Sequence, residues 1–149
     1  MEAVVFIGIQ ASGKSTFYQR RFFQTHVRIS LDMLKTRYRE QVFLSACLLA
    51  KQPFVVDNTN AVVTERARYI PAAREAGFRV TGYFFRTEVR SALARNQQRS
   101  GRAVIPVKGV LGTHKRLQPP KWEEGFDRLF QVSIDADGEF LVEDFEPAG

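Results

Sequence analysis

Eight residues near the start of the chain read Gly8-Ile9-Gln10-Ala11-Ser12-Gly13-Lys14-Ser15, a G-x-x-x-x-G-K-S pattern. Few short patterns restrict a fold so tightly. Ala3-Val4-Val5-Phe6-Ile7 before it is a short apolar run that predicts a buried strand, and Thr16-Phe17-Tyr18-Gln19-Arg20 after it can continue a helix. Strand, glycine loop and helix in that order make a phosphate-binding loop. Glycines let the backbone curl around an anion so that successive N–H groups point inward. The N-terminus of the helix adds partial positive charge beneath the phosphates. Gly8, Ser12, Gly13, Lys14, Ser15 and Thr16 are therefore the candidate nucleotide-binding set. Lys14 can reach the β- and γ-phosphates of ATP, and Ser15 can ligate Mg²⁺.

The rest of the chain alternates in the way such a loop demands. A first helix is expected from about Gly13 to Gln24, and Val27-Arg28-Ile29-Ser30 reads as a short strand. A long helical pattern follows from Leu31 to about Lys51, where Leu34, Tyr38, Val42, Ala46 and Leu49 recur every three or four residues as its expected core face. Phe54-Val55-Val56-Asp57 is a third strand closed by an acid. Thr64 can cap a helix running to about Ala76 with Gly77 as its stop, and Pro71 predicts a kink or boundary inside it. Phe78 to Phe85 is a fourth strand, Thr87 can cap a helix carrying Arg90, Arg95 and Arg99, and Ser100 to Pro106 breaks it. Val107 to Leu117 can form another helix. Arg128 to Ile134 is a last core strand, and the Asp137-Gly138 turn pair lets Glu139 to Phe145 fold back as a C-terminal β-hairpin arm.

The expected fold class is thus α/β: a parallel sheet with helices on both faces, with right-handed crossovers, of the P-loop kinase type. Loops at the carboxyl ends of parallel strands share one rim. The phosphate loop, Asp32 and Asp57 follow the first three strands, so they should converge there. A length of 149 residues fits one domain over 1–149, with 99–117 as a candidate lid and 131–149 as an acidic strand or hairpin.

Charge is unevenly distributed. All six acids after Gln131 (Asp135, Asp137, Glu139, Glu143, Asp144 and Glu146) stand without a Lys or Arg, which leaves all 22 bases and ten of the 16 acids in residues 1–130. A basic body of this kind suits a polyanionic partner, although solvated helix faces around a phosphate site give the same totals. No apolar run approaches the ~20 residues of a membrane span, and Met1 leads straight into strand pattern, so neither membrane nor leader is expected. The lone Cys47 lies in the apolar run Phe43 to Leu49 and reads as a packed core thiol, in keeping with a cytoplasmic protein. His26 and His114 have no metal spacing and read as surface residues; Trp122 and Phe126 read as core packing. No protein partner is identifiable.

Phosphoryl transfer needs a phosphate cradle, a metal, an oriented acceptor and positive charge on the transferring group. Asp32, after a strand and at the opening of a helix, can take the proton of a hydroxyl acceptor; an ordinary helix N-cap is the competing reading. Asp57, at the end of an apolar strand, can hold the metal through water or bond Ser15. It is followed by Asn58 rather than the Glu that ATP hydrolases use to activate water, which points toward a kinase. Arg95 and Arg99, four apart on one expected helix face, can be carried by a lid onto the γ-phosphate, or can be a solvated basic face.

Several stretches together resemble the kinase domain of polynucleotide 5′-hydroxyl kinases of the DNA and RNA end-healing type. Val55-Val56-Asp57-Asn58-Thr59-Asn60 is similar to that family's D-[NT]-T-N strand end, and Arg66-Ala67-Arg68-Tyr69 and Ala76-Gly77 follow at similar offsets. Arg95-Asn96-Gln97-Gln98-Arg99 resembles its R-N-x-x-R lid motif, with Pro106 downstream, and Glu124-Gly125-Phe126 its closing E-G-F segment. The resemblance covers residues 3–134. It implies ATP and Mg²⁺ on Lys14 and Ser15, Asp32 as general base for a terminal 5′-hydroxyl, and Lys35 and Thr59 near the phosphate beside the acceptor nucleoside. It also implies Arg95 and Arg99 on ATP, with Lys14 and Arg99 sharing the catalytic work. Two positions depart from the pattern. Leu31 stands where the family often has Arg, and Lys35 replaces an arginine with a point charge that does not fork onto a phosphate.

Three readings follow: an ATP-dependent kinase acting on 5′-hydroxyl ends of DNA or RNA, a sugar, nucleoside or antibiotic kinase on the same scaffold, and a nucleotide-dependent binding module without transfer. The basic body and the Asn58-Thr59-Asn60 turn favour the first over the second, and Asp32 favours either kinase over the third.

Overall fold

A computed structural model of the chain describes residues 1–99 and 105–147. Among these residues six strands form one sheet: β1 (Glu2–Ile7), β2 (Val27–Ile29), β3 (Phe54–Val56), β4 (Arg79–Phe85), β5 (Arg128–Ile134) and β6 (Phe140–Asp144). Their spatial order is β2-β3-β1-β4-β5-β6. All neighbouring pairs are parallel except β5 with β6, which is antiparallel. The expected α/β class and the C-terminal hairpin are therefore both present. Asp137-Gly138 closes that hairpin, with Gly138 at φ +79° and its N–H donated to Asp135 O at 3.0 Å.

The strands are apolar on both sides because both faces are covered. On one face Val5, Ile7, Ile29, Val56, Val80 and Phe84 pack against Leu44 and Cys47 of α3 (Arg37–Ala50) and Ile70 and Ala73 of α5 (Ile70–Glu75). On the other, Val4, Phe6, Val55, Phe85 and Val132 pack against Phe17 and Tyr18 of α1 (Lys14–Arg21) and against Phe22 beyond it. The second face is aromatic: Phe6 and Phe17 lie 5.8 Å apart, and Phe17 and Phe140 meet edge to face at 5.1 Å. Burial of Cys47 pushes its thiol pKa up, as a packed core thiol requires.

Several elements depart from the expected boundaries. α1 ends at Arg21, three residues early, as Phe22 turns into the core. The long helix from Leu31 is two helices, α2 (Leu31–Leu34) and α3, separated by Lys35 at φ +74° and by Thr36, whose hydroxyl caps Arg39 N. That break resets the helical phase. The buried positions of α3 are Glu40, Leu44 and Cys47, while the expected core residues Tyr38 and Leu49 are 77% and 86% exposed. Val42 and Ala46 face solvent with them, and only Leu34 of the expected set is buried.

Residues 62–76 are likewise divided. α4 (Val63–Arg66) starts from Val62, not Thr64, and α5 starts at the boundary Pro71 predicts and ends at Glu75, with Gly77 at φ +86° just beyond it. α6 (Val89–Gln97) begins from Glu88 rather than from a Thr87 cap, and it ends before Arg99. α7 (Val107–Arg116) follows Pro106; the break at Ser100 to Val104, and with it part of the candidate lid, lies outside the described residues. His26 is not a free surface residue: its Nε2 lies 2.8 Å from Glu2 Oε1 and its ring packs edge to face on Phe22. Phe126 is core, but Trp122 is half exposed on a 3₁₀ turn, Trp122–Glu124.

Candidate functional site

The carboxyl ends of β1, β2 and β3 meet at one cavity of about 260 Å³. Gly13, Lys14, Ser15 and Thr16 line it from the glycine loop, Asp32 from the start of α2, and Asp57, Asn58 and Thr59 from the end of β3. Arg99 and Ile105 close the side nearest α6 and α7. The convergence expected of the first three strands is the arrangement found.

The loop is shaped by its glycines. Gly13 has φ +94° and stands at the N-cap of α1. A Cβ there would meet Phe140 at 3.0 Å and Ile134 at 3.2 Å, so the hairpin packs directly under the loop. At Gly8 a Cβ would come within 2.9 Å of Phe85 and 3.0 Å of the Ser12 hydroxyl. Lys14 is buried and donates back to Ile9 O at 2.7 Å and Gly8 O at 3.1 Å. Burial lowers its ammonium to about 8, Asp57 and Asp32 act against that, and Arg99 adds to it. A cation kept so poorly solvated gains from an anion placed in the loop.

Each residue of Asp57-Asn58-Thr59-Asn60 makes a different tie. Asp57 Oδ2 accepts from Ser15 Oγ at 3.1 Å and from Arg28 Nε at 2.8 Å. Asn58 Oδ1 accepts from Leu31 N at 2.9 Å and so pins the first residue of α2. Thr59 O accepts from Gly8 N at 3.0 Å, and Asn60 Nδ2 donates to Phe6 O at 2.7 Å. Loop, β1 and α2 are thus held by one four-residue turn. Behind it Asn58 Nδ2 donates to Glu40 Oε2 at 2.9 Å and Tyr69 OH donates to Glu40 Oε1 at 3.0 Å. Arg37 Nη1 completes the group at 2.9 Å from Glu40 Oε1. Burial, and next the Glu40 carboxylate, push the Tyr69 phenol up to about 12.

Asp32 sits in the first turn of α2, while Ser30 takes the N-cap position. The carboxylate is therefore not spent as the helix cap and faces the cavity with Lys14 and Ser15. Lys35 is exposed at the α2–α3 break and is not among the residues lining the cavity. Thr59 is. Arg95 and Arg99 do not share a helix face, because α6 ends at Gln97. Arg95 Nε donates to Ala11 O at 2.7 Å, tying α6 to the loop, whereas Arg99 lines the cavity. Gln10 Nε2 reaches Thr113 Oγ1 of α7 at 3.0 Å, and Ile9, Ala11, Ala92 and Val110 share a small core. α6 and α7 are anchored to the loop rather than hanging over it.

Ser15 Oγ and the Asp57 carboxylate are hard oxygen donors side by side. With phosphate oxygens they suit Mg²⁺, which takes one or two protein ligands at such sites. Among the described residues no cluster of three His, Cys, Asp or Glu forms a metal cage of protein groups alone. Sequence reasoning gave no role to Arg28 or Glu40, whose only signal was a charged residue inside an apolar pattern, and it quoted Tyr69 without placing it in this network.

The sheet order, the loop after β1 and the acid after β3 define the P-loop kinase-type α/β fold. A family model described as AAA domain matches residues 36–120, more than half of the chain, and the chain belongs to that family. It is 28% identical over 137 residues to the bifunctional polynucleotide phosphatase/kinase of Schizosaccharomyces pombe (strain 972 / ATCC 24843). That alignment takes in 88% of this chain, which spans one third (33%) of the length of that relative. A gluconokinase from Sinorhizobium meliloti 1021 superposes with a TM-score of 0.63 at 19% identity, over 89% of this chain and 82% of its own. The AvrRxo1-ORF1:-ORF2 complex with ATP superposes at 0.70 and 14% identity, over 95% of this chain and 57% of that one. No helix among the described residues is long and apolar enough to cross a membrane.

Proposed function

We propose that the protein transfers the γ-phosphate of ATP to a hydroxyl acceptor, and that the acceptor is the 5′-hydroxyl end of a DNA or RNA strand. The observation that carries the reading is one cavity lined by Lys14, Ser15 and Asp32 together. A phosphate grip alone needs no carboxylate across from it. The P-loop kinase-type fold supports the transfer, and the polynucleotide phosphatase/kinase relative supports the acceptor class.

In this mechanism the loop N–H groups and Lys14 hold the β- and γ-phosphates, and Lys14 leaves the Gly8 and Ile9 carbonyls to do so. Ser15 and Asp57 would hold Mg²⁺, which would supply positive charge against the phosphate oxygens. Asp32 accepts the proton as the acceptor oxygen attacks phosphorus, ADP leaves, and Arg99 offsets the charge spread over the transferring group. Arg95 fixes the loop from behind. Lys35 and Thr59 bear on the acceptor's adjoining phosphate. The chain acts as one domain, with Arg99 and Ile105 on the donor side of the cavity.

A small-molecule kinase is the second reading. The gluconokinase superposition and the Leu31 and Lys35 departures favour it. Labelled ATP and Mg²⁺ offered with a 5′-hydroxyl oligonucleotide, nucleosides and sugars decides between them: label on oligonucleotide supports the proposal, and label on nucleosides or sugars alone overturns it. Asp32→Asn should lower kcat by about 10²–10⁴-fold with ADP affinity kept; unchanged turnover removes Asp32 as the base.

A further inference from the structure

Arg28 reaches from the middle of β2 to the two oxygens best placed to take a metal. Its Nε is 2.8 Å from Asp57 Oδ2, its Nη2 is 3.1 Å from Ser15 Oγ, and those two oxygens are 3.1 Å apart. Two adjacent ligands of an octahedral Mg²⁺, each ~2.1 Å from the ion, lie ~3.0 Å apart. The guanidinium thus bridges a donor pair already at metal-binding separation.

Three further observations say why it is there. The Asp57 side chain is only 2% exposed, and a buried carboxylate needs a counter-charge. Lys14 gives its hydrogen bonds to loop carbonyls and the Ser12 hydroxyl instead. Arg28 itself is a quarter exposed, so its head can withdraw to solvent without opening the core.

We propose that Arg28 is a resident cation at the metal position. It holds Ser15 and Asp57 together before a divalent ion arrives and must release both for the ion to bind. Arg28 therefore sets the Mg²⁺ concentration at which the site accepts a metal–nucleotide, and lets nucleotide bind weakly without metal by neutralising Asp57. The inference rests on the nucleotide reading above and deepens it.

The two effects of removing Arg28 have opposite signs, which a merely structural role would not produce. ADP binding is measured by calorimetry across a Mg²⁺ series, and Mn²⁺ binding to the nucleotide-free protein by electron paramagnetic resonance. In Arg28→Gln the Mg²⁺ midpoint should fall about tenfold, as for a site whose open fraction had been about one-tenth. Mn²⁺ should bind correspondingly tighter, and metal-free ADP should bind several-fold weaker. Arg28→Lys keeps a charge without the fork; it should hold metal-free ADP near the wild-type level with a midpoint between the two. An unchanged or raised midpoint in Arg28→Gln, or affinities that fall together with and without metal, overturns the proposal. If Arg28→Gln does not fold, an unchanged midpoint in Arg28→Lys overturns it. Wild-type protein that binds ADP at no Mg²⁺ concentration overturns the nucleotide reading as well.

Discussion

Gly13 carries two demands at once. Its φ of +94° is one that a side chain resists, and the space its Cβ would fill belongs to the Phe140 ring and Ile134. A left-handed backbone costs a non-glycine residue about 1–2 kcal/mol, and a contact at 3.0 Å adds to that. Gly13→Ala should therefore lose on the order of 2 kcal/mol in denaturant unfolding, and weaken ADP binding because the loop is pushed off Phe140. Adding Phe140→Ala should return the steric part and leave the backbone part. A double variant no better than Gly13→Ala would mean that the hairpin does not support the loop. The motif predicts the glycine; nothing local predicts the ring beneath it, which arrives from more than a hundred residues away.

Elements were legible where one local rule governs them and illegible where a break resets it. The strands follow from short apolar runs closed by polar turns, and α5 from Pro71. The face of α3 was misread because a single positive φ at Lys35 turns one long periodic pattern into two helices out of phase. The buried face then includes Glu40, which a search for apolar residues passes over. Arg66 tells the same story. It is fully buried, grips both Glu124 oxygens at 2.8 and 3.0 Å, and donates to Asn60 O and Gln118 O. The Arg66 and Glu124-Gly125-Phe126 segments that carry a family resemblance are thus a structural clasp, with Gly125 at φ +108° against Ile70 and Arg74.

The Glu40–Tyr69–Asn58 group that anchors α2 has a pH signature. Folding pushes the Tyr69 phenol from its ordinary value of about 10 up to about 12, chiefly by burial. Its contribution is fully present below pH 10. Between pH 10 and 12 the unfolded chain sheds the proton while the folded one keeps it, so stability falls. Wild type should lose stability through that window by on the order of 2 kcal/mol more than Tyr69→Phe, measured by denaturant unfolding at successive pH values. Equal losses would place the phenol outside the network.

At the scale of the whole molecule the sheet order separates charge. β6 and its acids form one edge, and β2, which leads to Asp32, forms the other. The acidic hairpin adds an edge strand and supports the loop from below, on the edge away from β2. On the proposed reading an acceptor strand at Asp32 lies toward the edge opposite those acids, and a polyanion and a neutral sugar should respond differently to salt. Each phosphate contacted on a single strand contributes a slope of about −0.7 in log affinity against log salt. With ATP saturating and two phosphates engaged, kcat/KM for a 5′-hydroxyl oligonucleotide should fall about sevenfold between 50 and 200 mM salt. The same quantity for any neutral nucleoside or sugar that accepts phosphate should stay nearly flat. Lys35→Ala should reduce the oligonucleotide slope by about one phosphate and leave the neutral acceptor unmoved. Parallel salt curves for the two acceptor classes would mean that only the donor phosphates feel the basic body, and the acceptor would then have to be sought among small hydroxyl compounds.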